Sequence, residues 1–124
     1  MKKVLWLISI FSIGSSCYKD NREDLYQNLN TDNCVTDVVS FSTQIAPILN
    51  RSCALSGCHN AQSATAGVVL SNYSGAAQIA SNGKLLQRIN LANGEPSLMP
   101  PMGKLPACDI ALIEKWVVDG FPNN

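Results

Sequence analysis

The chemistry-bearing residues of this chain stand in one short run, Cys53-Ala54-Leu55-Ser56-Gly57-Cys58-His59, which joins two thiols to the sequence's single histidine. Covalent haem attachment needs that set: two thiols to reach neighbouring vinyl groups, and an imidazole directly after the second thiol to ligate the iron. The usual signature is Cys-x-x-Cys-His, whereas four residues separate Cys53 from Cys58. Gly57 is the residue that lets the extra backbone loop out while both thiols stay in register.

An iron held by histidine on one side needs a sixth ligand, and a methionine thioether is the soft donor that raises its reduction potential. Leu98-Met99-Pro100-Pro101-Met102 supplies two such donors in an irregular, proline-rich stretch. Met99 is the better candidate because the proline after it fixes the local backbone. Met102 is the alternative, and whichever is not a ligand is a packing residue.

The elements that must position these groups are short helices. Phe41, Ile45, Ile48 and Leu49 recur at helical spacing, with Ser40 or Ser42 as N-cap. Pro47 lies inside that pattern, so the first helix is expected to be short or kinked. Residues 60–70 read as a loop, and Ser71 to Ser74 as turn and capping residues before a short helix from Gly75 to Ala80. A further helical turn runs from Lys84 to Ile89 after Asn82-Gly83. The clearest helix is the last, where Ile110, Ile113, Trp116 and Val117 share a face between Asp109 at its start and Gly120 as its cap. No strand alternation stands out. The expected fold class is all-α: three to four short helices with long loops, in one domain over residues 34–124. Such a domain buries little apolar area and needs a cofactor or disulfides to be stable.

The N-terminal part is organised differently. Lys2 and Lys3 precede an apolar run from Val4 to Ile13, too short for a spanning helix of about 20 residues, and residues 1–16 read as an export signal. Ile13-Gly14-Ser15-Ser16-Cys17 resembles a bacterial lipobox, which implies lipidation of Cys17 and a membrane-anchored lipoprotein facing the periplasm or the cell surface. The alternative is an ordinary signal peptide with an incidental cysteine. Residues 17–33 are polar and read as a tether. Nine basic residues balance nine acidic ones, so no basic surface points to nucleic acid. Without Lys2 and Lys3 the chain is mildly acidic.

In this order of motifs the chain resembles the class I cytochrome c family, and more narrowly the short monohaem cytochrome c domains of bacterial lipoproteins. The residues responsible are Ile45-Ala46-Pro47-Ile48-Leu49, then Cys53, Cys58 and His59, then Leu98-Met99-Pro100-Pro101, and Asp109 to Trp116. The resemblance implies one covalent haem c, its iron held by His59 and Met99, and electron transfer to redox proteins that dock transiently. It also implies that the first and last helices cross with Trp116 at the crossing. Ile48, Leu70 and Leu98 are the expected haem-lining residues.

Five cysteines are an odd number for an exported chain. Lipid on Cys17 and haem on Cys53 and Cys58 leave Cys34 and Cys108, which are expected to pair as a disulfide in an oxidising compartment. Two other readings stand beside this one. Cys53, Cys58 and His59 with Cys34 or Cys108 would make a Cys3His zinc module. Cys53 paired to Cys58 would make a cofactor-free, disulfide-stapled binding domain. Enzyme activity is not expected, because Met99 closes the sixth iron position and no second histidine exists for acid/base work.

Overall fold

The computed structural model describes Cys34 and residues 37–124. The export signal, Cys17 and the tether lie outside the described residues.

Among the described residues the protein is helical, with no strand. The first helix begins as a π-helical turn, Phe41–Ile45, and continues as α1, Ala46–Ser52. A 3-10 turn, Thr65–Gly67, interrupts the following loop. Then come α2, Tyr73–Ser81, α3, Lys84–Ile89, and the longest helix α4, Ala107–Val118. None of the described helices is long and apolar enough to cross a membrane.

Pro47 does not end the first helix, and the π turn explains why. A proline in a regular helix clashes with the carbonyl four residues back and leaves it without a donor. Here the chain is wound more loosely just before Pro47: the Ile45 N–H reaches the Ser40 carbonyl and the Ala46 N–H reaches that of Phe41, both five residues back. Pro47 then falls in the first turn of α1, where its missing N–H costs nothing. Ser40 is the N-cap, its hydroxyl accepting from the Thr43 N–H.

The second helix starts two residues before the expected Gly75, because Asn72 caps it by accepting the Gly75 N–H at 2.9 Å. Gly75 has its own reason: a Cβ there would collide with the Val69 carbonyl, so only glycine lets α2 lie so close to the loop before it. The turn at Asn82-Gly83 uses a left-handed Gly83, φ 75°, and the Asn82 side chain accepts the Lys84 N–H, so α3 follows α2 at once. The last helix also starts earlier than Asp109, at Ala107, after an extended Pro106. Gly120, φ 84°, turns the chain out of it.

The core is one cluster gathered between the first helix and α4, with Ile45, Leu49, Ile113 and Trp116 wholly buried. Trp116 meets Phe41 at 5.5 Å and Phe121 at 6.2 Å between ring centroids, and its Nε1–H donates to the Pro122 carbonyl. Tyr73 brings α2 to the same aromatic group, edge-on to Phe41 at 5.2 Å. The N-terminal end of the first helix and the last helix therefore pack around Trp116. A second tie joins the opposite ends: Arg51 at the end of α1 pairs with the buried carboxylate of Asp109 at the start of α4.

Cys34 and Cys108 form a disulfide, with Cα atoms 5.3 Å apart, across 74 residues of chain. At the other end Asn124 clasps the start of the first helix. Its backbone carbonyl accepts the Ser42 N–H, its side-chain oxygen accepts the Phe41 N–H, and its side-chain amide donates to Val39.

Candidate functional site

Cys53 is the C-cap of α1, its N–H bonded to the Leu49 carbonyl in the last helical turn, and its side chain is buried. The chain then loops out and returns: the Cys58 N–H donates to Leu55, and the His59 N–H donates back to the carbonyl of Cys53 at 3.1 Å. Gly57, φ 78°, supplies the left-handed step this loop requires. The four residues between the cysteines are thus absorbed in a closed loop.

That loop is clipped from the far side. Thr65 donates its hydroxyl to the Gly57 carbonyl and its N–H to Cys58, and the Gly57 N–H donates to the Ser63 hydroxyl. The His59 carbonyl accepts the Leu70 N–H at 2.7 Å. Both backbone groups of His59 are therefore held, one by the end of α1 and one by the segment leading into α2.

Cys53, Cys58 and His59 line one cavity of about 590 Å³, and Met99 and Met102 line it too. That volume is in the range of small-molecule and cofactor sites, roughly 300–1,000 Å³. Most of the wall is apolar, Leu70, Ile79, Leu85, Ile89, Pro96 and Pro100 among its residues. Met99 is half-buried, its N–H donated to the Arg88 carbonyl, so α3 fixes its backbone. Met102 is 84% exposed. Of the two thioethers, Met99 is the one held against the wall.

Of the apolar residues expected at the site, only Leu70 reaches the cavity. Ile48 is buried in the core between the helices, and Leu98 faces a separate surface recess beside Asn93 and Gly103. Burial was legible in all three, but the side of the core each would face was not. The residues that sequence reasoning passed over are Thr65, Lys84 and Arg88. Lys84 and Arg88 had a usable signal, an i, i+4 spacing beside the apolar pair Leu85 and Ile89 on the same short helix.

The site's electrostatics are simple. Burial, with a smaller contribution from neighbouring Cys58, pushes the Cys53 thiol up to about 11. Cys53 and Cys58 are both free thiols. The disulfide occupies Cys34 and Cys108, so neither offers the fourth ligand of a Cys3His zinc site. No group of three His, Cys, Asp or Glu among the described residues is disposed to hold a metal ion.

The His59 Nδ1 is buried with no hydrogen-bond partner, although His59 lines an open cavity. Nδ1 is therefore not the ring edge that faces the opening. An unpaired buried nitrogen costs about 1–3 kcal/mol. The residues present fit a haem: one imidazole nitrogen and one thioether would suit its iron, two free thiols would suit its vinyl groups, and most of the wall is apolar.

Comparison with known protein families, with curated proteins and with solved structures found no match to this chain.

Proposed function

We propose that this protein is a small electron-transfer protein of cytochrome c type, holding one haem c through Cys53 and Cys58, with His59 and Met99 as axial ligands. The observation that carries the proposal is the meeting of these four side chains, distant in part along the sequence, on one largely apolar cavity. When bound, the haem supplies a one-electron centre at its iron.

The chain's own residues do the rest. Cys53 and Cys58 would hold the ring covalently at the end of α1, with the loop between them spacing the two sulfurs. His59 presents its ring from a backbone held at both its N–H and its carbonyl, which fixes where the side chain leaves the chain. Met99 lines the same cavity, and its thioether would supply the soft ligand that favours reduced iron. Leu70, Leu85 and Ile89 line the cavity and would keep water from a bound ring. No side chain performs acid/base chemistry in this role. The exposed mouth is where redox proteins would dock, over a small and weak interface. Lipidation at Cys17 would hold the domain at a membrane by its tether.

The test is an alkaline pyridine haemochrome spectrum of the chain expressed with a cytochrome c maturation system, taken after acid-acetone extraction. A c-type band that survives extraction is the expected result. Colourless protein after extraction would overturn the proposal.

A further inference from the structure

Two features of the cavity are not used by the ligation just described: it carries charge on one side only, and that charge has one sign. Lys84 and Arg88 are the charged side chains of its wall, and no Asp or Glu lines it. Both project from α3, one helical turn apart, beside the buried pair Leu85 and Ile89. Neither takes part in an ion pair among the described residues, whereas Arg51 and Lys115 each have a carboxylate partner. The other titratable groups facing the cavity are Cys53, Cys58 and His59.

A chain with zero formal net charge thus places two unpaired cations against an otherwise apolar wall. The guest that such a wall selects has a large apolar body and anionic groups on part of its rim. A haem has that form, with two propionate carboxylates on an apolar ring. We propose that Lys84 and Arg88 are the residues of this chain that recognise the carboxylates of the bound ring, and so fix which of its edges lies against α3. The proposal rests on the haem reading of the cavity. Guanidinium suits the task best, since its planar fork can grip a carboxylate with two parallel hydrogen bonds, and Lys84 adds a second charge one turn away. Arg88 has a further consequence. Its backbone carbonyl holds the Met99 N–H, so one short helix both positions the sixth ligand and orients the ring.

The experiment compares protoporphyrin IX with its dimethyl ester, which share the ring and differ in whether the two carboxyl groups are charged. Each is titrated by fluorescence into the haem-free full chain with its Cys34–Cys108 bridge intact, as wild type, as K84Q/R88Q and as the charge-conserving K84R/R88K. Removing both cations is expected to weaken binding of the free acid roughly tenfold and to leave the diester unchanged. K84R/R88K is expected to restore the preference for the free acid. Equal weakening of both porphyrins would assign the two residues a packing role and overturn the inference, as would a free-acid affinity that K84Q/R88Q leaves untouched. A chain that binds neither porphyrin would overturn the haem reading and this inference with it, so the two failures are distinct.

Discussion

His59 and Met99 line the cavity from backbones held by different elements, His59 donating its N–H to Cys53 at the end of α1 and Met99 to Arg88 in α3. In the haem-loaded protein, Met99→Ala is expected to abolish the charge-transfer band of a sulfur-ligated ferric iron and to lower the reduction potential. Met102→Ala, at a side chain that is mostly in water, should leave both unchanged. A band lost in Met102→Ala and kept in Met99→Ala would reverse the assignment. The two thiols also differ before attachment, Cys53 being buried and Cys58 only partly so. With its thiol pushed up to about 11, Cys53 carries only about a thousandth of its population as thiolate at pH 8. Alkylation of the haem-free chain, followed by mass spectrometry, should therefore modify Cys58 well before Cys53. The same shift has a stability consequence whose sign is fixed. The folded state holds the Cys53 proton more tightly than the unfolded chain, whose ordinary thiol value is 9.0. Its contribution is complete below pH 9 and is lost as pH rises towards 11, so denaturant midpoints of the haem-free chain should fall across that window and recover in Cys53→Ala.

At the scale of elements, the site depends on how closely α2 lies against the segment that ends at Leu70. Gly75 sets that distance, because a methyl group there meets the Val69 carbonyl. Gly75→Ala would raise helix propensity by about 1 kcal/mol in an open helix, yet here it should destabilise by about 1–3 kcal/mol, read as a lower denaturant midpoint. A neutral or stabilising result would mean that the loop yields. The helices themselves were largely legible in the sequence, for physical reasons that differ. Lys84 to Ile89 is bounded by Asn82-Gly83, a turn signal no neighbour overrides, and α4 carries a long apolar face. The π turn before Pro47 was not legible, because a wider winding is written in no residue type and is selected by the proline four places beyond its carbonyl partner. The site divides in the same way. Cys53, Cys58 and His59 were readable because they are contiguous. Thr65 was not, since only the loop clip brings it to the same wall, and the spacing of Lys84 and Arg88 marked one helix face without saying which wall that face meets. Ile48 and Leu98 were misplaced because hydrophobicity marks depth and not direction.

For the molecule as a whole, a small helical domain is held at both ends. The Cys34–Cys108 bridge closes a loop of 74 residues in sequence separation. Chain entropy alone assigns such a closure about 4 kcal/mol, and measured effects are often smaller. The Cys34→Ser/Cys108→Ser variant should accordingly show a clearly lower denaturant midpoint with the haem spectrum intact, because neither cysteine lines the cavity. A changed spectrum would tie the bridge to the site itself. The same bridge decides where force travels. A pull on the chain ahead of Cys34, resisted at the C-terminus, crosses a covalent bond into α4 and runs out through Asn124. The residues between the two bridged cysteines, with the whole cavity among them, lie outside that load path. Under that pull the last helix bears the load and the cavity does not.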